Sequence, residues 1–219
     1  MSQIDYRYEV DAAKIYTESF AIIRAESDLS GFPQDVANVV VRMIHAAAQT
    51  DLPKDIRFTP GVVTACRSAL LAGAPILCDS SMVATGIIRS RLPGENGVVC
   101  HIKDPKLAEV AKRKGVTKTM AAVDEWTPQL EGAVVAIGNA PTALFRLLEV
   151  VRDTGIKPAG VIGCPVGFVG AAESKQALVA NPFGLEFLSL TGRRGGSAVT
   201  VAAINAVAST DERTNKSLR

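Results

Sequence analysis

Long apolar runs are missing from this chain. No uninterrupted stretch of about 18 hydrophobic residues occurs, so no transmembrane helix is expected. Aromatic residues make up only 5% of the sequence, which points to an aliphatic core of Ala, Val, Ile and Leu. Charge of one sign is also missing: a net charge of +2 gives no field for steering nucleic acid, and neither end carries a basic run. Four cysteines, Cys66, Cys78, Cys100 and Cys164, form no close pair. That spacing argues against a zinc site and a disulfide scaffold, and for buried thiols in a reducing compartment. The opening MSQIDYRYEV is polar and lacks the apolar segment of a signal peptide, so a cytoplasmic location is expected. The dinucleotide pattern GxGxxG and the phosphate loop GxxxxGK[ST] are both absent.

What is present is a chain of 219 residues with 47% hydrophobic residues, enough to bury a substantial core in one domain spanning residues 1–219, with a polar tail from about 209. The first third reads as helical. Residues 11–26 repeat Ala12, Ile15, Tyr16, Ile22 and Ile23 at helical spacing, with Ser19 on the same stripe. Residues 34–48 place Val36, Val39, Val40, Met43, Ile44 and Ala47 on one face. A third helix is expected to be capped by Thr59, to carry Pro60 in its first turn and to end at Gly73. Beyond Gly73 short apolar runs at 75–78, 98–102, 133–137, 160–163 and 185–190 alternate with helical stretches at 81–88, 105–123, 142–151, 171–180 and 197–208. Such alternation predicts an α/β fold, a mainly parallel five-stranded sheet flanked by helices in the Rossmann-like manner. In open parallel sheets ligands bind beyond the carboxyl ends of the strands, so the loops after each apolar run are the ones to read for function.

Three of those loops are rich in glycine. Gly138-Asn139-Ala140-Pro141-Thr142 follows a strand and opens a helix, whose first-turn N–H groups attract anions. Gly192-Arg193-Arg194-Gly195-Gly196-Ser197 repeats the arrangement with two guanidinium groups suited to carboxylates. Pro165-Val166-Gly167-Phe168-Val169-Gly170 adds an aromatic ring that could face a flat ligand. Each loop alone has a structural explanation; together they suggest a large, polyanionic, partly apolar ligand. Arg89 and Arg91 form a small cationic cluster, either a solvated edge or a carboxylate clamp, and Asp79 could cap a turn or touch ligand. His45 points away from the apolar stripe of its helix, on a face with Asn38, Val41 and Ala48. That face suits a cleft or a subunit interface, although a surface histidine without consequence fits the position too. Lying in the last helical turn, the imidazole is expected to have a raised pKa unless burial offsets the helix dipole.

Six blocks of this sequence resemble the precorrin-8X methylmutase family. They are Tyr16-Thr17-Glu18-Ser19-Phe20-Ala21-Ile22-Ile23-Arg24, Val41-Arg42-Met43-Ile44-His45-Ala46, Gly73-Ala74-Pro75-Ile76-Leu77-Cys78-Asp79, the stretch 136–144, the stretch 165–175 and the stretch 192–197. The resemblance runs from about Tyr16 to Asn205. It implies an isomerase without cofactor or metal that moves a methyl group from C-11 to C-12 of a tetrapyrrole by a 1,5-sigmatropic shift, giving hydrogenobyrinic acid. It implies a homodimer with the active site near the subunit interface, His45 as the catalytic histidine and Ser19 as a substrate contact. Lys118 stands where the family is expected to carry an arginine, and it keeps the charge but not the bidentate geometry. The remaining expected substrate contacts are Arg24, Asp79, Thr85, Arg89 and Arg91, then Asn139, Thr142, Gly167 and Phe168, then Arg193, Gly196 and Ser197. A tetrapyrrole carrier without chemistry, or a generic nucleotide-binding enzyme, would use similar loops.

Overall fold

The computed structural model describes residues 6–209. One sheet carries β1 (Ile56–Phe58), β2 (Ile76–Cys78), β3 (Val98–Val99), β4 (Val134–Ile137), β5 (Gly160–Gly163) and β6 (Phe187–Leu190), in the spatial order β1-β6-β5-β4-β2-β3. The five strands from β2 to β6 run parallel, as the alternating pattern predicts. The sheet nevertheless has six strands among the described residues, not five. β1 pairs antiparallel with β6, Ile56 opposite Leu190 and Phe58 opposite Leu188. Three residues with an arginine in the middle make no apolar run, so this edge strand leaves no periodic signal.

Alternation along the strands builds two cores. Ile76, Cys78, Val134, Ala136, Ile162 and Leu188 face one side, under α3 (Val62–Leu71), α4 (Ser81–Gly86) and α9 (Ser197–Ala208). Leu77, Val135, Ile137, Val161 and Phe187 face the other, under α7 (Pro141–Thr154) and α8 (Ala171–Ala180). Strands covered on both faces need apolar residues at every position, which is why they read as continuous runs. The helical first third is a further layer on the first side: α9 lies on β4 and β5, α2 (Gln34–Ala47) on α9, and α1 (Ala12–Glu26) on α2. Val36, Val39, Val40, Met43 and Ile44 of α2 are buried, each contributing roughly 1.5–3 kcal/mol. The tail reading from residue 209 onward lies almost wholly outside the described residues.

Two local expectations are corrected. The single helix over 105–123 is two, α5 (Lys106–Lys114) and α6 (Lys118–Asp124). Gly115 adopts φ +66°, a left-handed cap that stops α5, and the Thr117 hydroxyl accepts the Met120 N–H at 3.2 Å to start α6. Thr59 does not cap α3 with its side chain. Its hydroxyl donates to Glu186 and accepts the Phe187 N–H at 2.9 Å, because β1 carries it against β6, and α3 starts later, at Val62.

Candidate active site

Chain crossovers leave β2 toward β3 on one side and β4 toward β5 on the other, so the crevice of this sheet opens between the carboxyl ends of β2 and β4. Asp79, one residue past β2, closes it. Its carboxylate accepts the N–H groups of Gly138 at 3.1 Å, Asn139 at 2.8 Å and Ala140 at 2.7 Å. Burial pushes the Asp79 carboxyl up from the ordinary range, against the pull of the three amides. The anion seat expected at the start of α7 is therefore already filled by the protein's own carboxylate. A nucleotide phosphate has no place there, which counts against the nucleotide-binding reading. Gly138 is required by packing: a Cβ would press into Thr200 and the Cα of Ser197 at the start of α9. Ser80 and Ser197 hydroxyls meet at 3.5 Å across the same junction.

The loop between β6 and α9 forms the next part of the rim. Gly195 and Gly196 have φ of +148° and +121°, and the Gly196 N–H donates to the Cys164 carbonyl at 2.8 Å. A Cβ on Gly195 would overlap that carbonyl oxygen. The two adjacent arginines have different roles. Arg194 donates to Asp51 at 2.9 Å and Asp55 at 2.9 Å and also to Gln49, so its guanidinium serves the protein's own carboxylates. Arg193 is exposed, with its guanidinium 5.3 Å from the Phe168 ring centroid. Phe168 and Val169 are themselves 83% and 89% exposed at the tip of the glycine-rich loop after β5.

His45 joins this rim from α2. The helix ends at Ala48, a non-glycine residue at φ +51°, and the chain turns there toward Gln49 and Asp51, which Arg194 holds. The imidazole is thereby at the carboxyl edge of the sheet, in the last turn of its helix. Its ring lies against two aromatics from α1, Tyr16 at 5.7 Å and Phe20 at 5.2 Å between centroids, while the residue stays open to solvent on its other side. Cover by these rings, with the Arg42 cation second, lowers the His45 pKa below its ordinary value. The dipole-raised pKa expected from helix position is thus corrected: desolvation outweighs the macrodipole. The Arg42 guanidinium, largely buried, sits 5.5 Å from the Phe20 ring centroid and belongs to the same cluster.

The fold gathers many of the expected contacts and separates others. Asn139, Gly196, Gly167, Phe168 and Arg193 lie on the rim loops and Ser197 opens α9, with the Gly167 N–H donating to the Arg193 carbonyl at 3.4 Å. Asp79 is a correction: buried, with its carboxylate taken by three backbone amides, it seals the crevice from within and does not face a ligand. Lys118 opens α6 beside Thr142, which the Thr117 hydroxyl reaches at 3.1 Å. Ser19, half-buried, precedes Phe20 in the ring cluster. Arg24 donates to Asn38 at 3.4 Å, seven residues and about 10 Å along α2 from His45. Thr85 and Arg89 are exposed, on α4 and on the turn after it. Arg91 is a correction. Its side chain is buried and donates to the carbonyls of Asn205 at 3.0 Å and Ser209 at 3.3 Å, capping α9 at the end opposite Ser197. It cannot clamp a carboxylate at the rim. Three cysteines are buried and Cys100 is half-buried; burial pushes the Cys66 and Cys164 thiols up to about 12. Among the described residues no group of three His, Cys, Asp or Glu could hold a metal ion, and no helix is long and apolar enough to cross a membrane.

Sequence reasoning missed Lys175, buried on α8, and the tie between Arg194 and residues 49–55. Lys175 had a legible signal: it stands with Ala171, Ser174 and Leu178 on the buried stripe of its helix. The Arg194 tie had none, since 143 residues separate Arg194 from Asp51.

A doubly wound α/β sheet whose switch point is closed by Asp79, with glycine-rich rim loops and an imidazole among aromatic rings, defines the class: an α/β protein without a nucleotide-phosphate seat at its switch point. Residues 14–210 match the family model described as Precorrin-8X methylmutase. The chain is 52% identical to the Precorrin-8X methylmutase of Sinorhizobium sp, over 93% of this chain and 97% of that one. It is 35% identical to the Cobalt-precorrin-8 methylmutase of Priestia megaterium, over 93% of this chain and 92% of that one. The crystal structure of the precorrin-8X methylmutase from Thermus thermophilus superposes with a TM-score of 0.81 at 41% identity, covering 90% of this chain and 95% of that one. The chain belongs to the precorrin-8X methylmutase family, and is an isomerase of cobalamin biosynthesis.

Proposed function

We propose that this chain moves the C-11 methyl group of precorrin-8X to C-12, giving hydrogenobyrinic acid, with His45 as the catalytic group. The observation that carries the reading is the position of His45: held against Tyr16 and Phe20, open on one side, and tied through Gln49 and Asp51 to the Arg194 loop of the rim. A pericyclic shift breaks the bond from methyl to C-11 while forming the bond to C-12, and it needs no nucleophile or electron carrier. The protein accelerates it by holding the ring flat and drawing electron density from it. Because its pKa is lowered, His45 is mainly neutral at pH 7, and it acts as a neutral N–H donor to a ring nitrogen next to the migrating methyl. Arg193, Lys118 and the first turn of α9 hold peripheral carboxylates, Phe168 covers the ring face and Ser19 makes a substrate contact. These contacts align the macrocycle; only the bond that strengthens in the transition state raises the rate.

The substrate proposed is the metal-free ring, because identity is 52% to the relative named for precorrin-8X and 35% to the one named for the cobalt form. The working unit proposed is a cytoplasmic homodimer. Its interface uses the outer side of α1 and the segment before it, where Tyr6, Tyr8, Val10, Ile15 and Ile22 are exposed beside the His45 cluster. The test is spectroscopic. Purified protein mixed with precorrin-8X is expected to convert its absorption spectrum to that of hydrogenobyrinic acid, and to act more slowly on the cobalt form. Tight binding with no conversion of either ring would overturn the enzyme reading in favour of a carrier.

A further inference from the structure

Lys175 has no exposed surface, and the mechanism above does not use it. It lies on the inner face of α8, and its Nζ donates to the Arg194 carbonyl at 2.6 Å. Among the described residues no carboxylate lies within ion-pair distance; Cys164 and Asp55 are the titratable groups whose charge it feels. Burial pushes its ammonium down from the ordinary lysine value. A buried cation without a carboxylate partner is costly, so its one strong hydrogen bond has to matter to the fold or to the site.

That bond reaches a stretch of chain held from every side. The Arg194 guanidinium is fixed by Asp51, Asp55 and Gln49, and its carbonyl by Lys175. On one flank the Arg193 carbonyl accepts the Gly167 N–H, with the Arg193 guanidinium over Phe168. On the other, Gly195 and Gly196 take conformations closed to other residues, Gly196 bonds to Cys164, and α9 begins. Among these restraints Lys175 is a side chain that acts from the buried side of the loop, as the Cys164 carbonyl does from the backbone.

We propose that Lys175 is a positioning residue for recognition of the acidic macrocycle: by fixing the Arg194 carbonyl it sets the direction in which Arg193 and the first turn of α9 meet the ligand's carboxylates. The inference rests on the function proposed above and deepens it. Donors fixed before binding lose less freedom on binding, so a loosened loop weakens affinity while leaving the chemistry at His45 in place.

The experiment is a double-mutant cycle on hydrogenobyrinic acid affinity, read by absorbance titration of wild type, Lys175→Met, Arg193→Gln and the double variant. Each single change is expected to weaken binding about tenfold, and the double variant to bind only slightly more weakly than either, because both remove the same contact. In turnover, Lys175→Met raises KM with kcat changed less than about threefold. Should Lys175→Met fail to fold, Lys175→Gln, whose shorter side chain falls short of the Arg194 carbonyl, takes its place in the cycle. Lys175 variants that bind as wild type does, or losses that simply multiply in the double variant, would overturn the proposal while leaving the proposed function intact. A wild-type protein that does not bind hydrogenobyrinic acid would overturn both.

Discussion

Replacing His45 with Ala is expected to slow single-turnover conversion of precorrin-8X by about 10²–10⁴-fold, the range for loss of a positioned proton donor. Binding of hydrogenobyrinic acid should change far less, because the carboxylate contacts lie on other elements. The split follows from the geometry. The His45 ring lies tilted against Tyr16 and Phe20 but has no place in the aliphatic stripe of α2, so its removal opens no cavity in the main core. Rapid-mixing absorbance measures the rate, and titration with product measures the binding. A variant that turns over at near wild-type speed would remove the imidazole from the mechanism. One that unfolds would show the ring to be part of the core instead.

The second large effect concerns stability. Asp79→Ala leaves the amides of Gly138, Asn139 and Ala140 without their acceptor at the join of two loops. The Gly138 amide is buried and those of Asn139 and Ala140 partly so; a buried unsatisfied donor costs about 1–3 kcal/mol and a partly buried one less, so the loss is expected near 3–5 kcal/mol, at the high end for one substitution. Asp79→Asn, which keeps one acceptor oxygen, should lose roughly half as much. Urea unfolding at unchanged slope measures it. A loss below about 1 kcal/mol would mean that water reaches these amides and that Asp79 does not seal the crevice.

How much of this was legible in the sequence depends on how local each signal is. The five parallel strands and the helix of residues 171–180 announced themselves because both-face burial and one-face burial each leave a period. β1 did not, since an edge strand of three residues is defined by its partner. The break at Gly115 is legible as turn chemistry, a glycine followed two residues on by the cap Thr117, but the apolar period runs on from one side of it to the other. At the site, the glycine loops and His45 stood out by residue type. The division of labour between Arg193 and Arg194 did not, because neighbours in sequence gave no hint that Asp51 and Asp55 would claim one of them. Arg91 looked like its neighbour Arg89 for the same reason, and only the packing of α9 set it apart. The direction of the His45 pKa needed the two rings of α1, which lie 25 and 29 residues away in sequence.

The most direct measurement is a crystal structure of this protein with hydrogenobyrinic acid bound. The account predicts a macrocycle on the carboxyl rim, with an imidazole nitrogen of His45 within hydrogen-bonding distance of a ring nitrogen beside the moved methyl group. A macrocycle seated elsewhere, or a His45 ring turned to solvent with no tetrapyrrole atom near it, would contradict it.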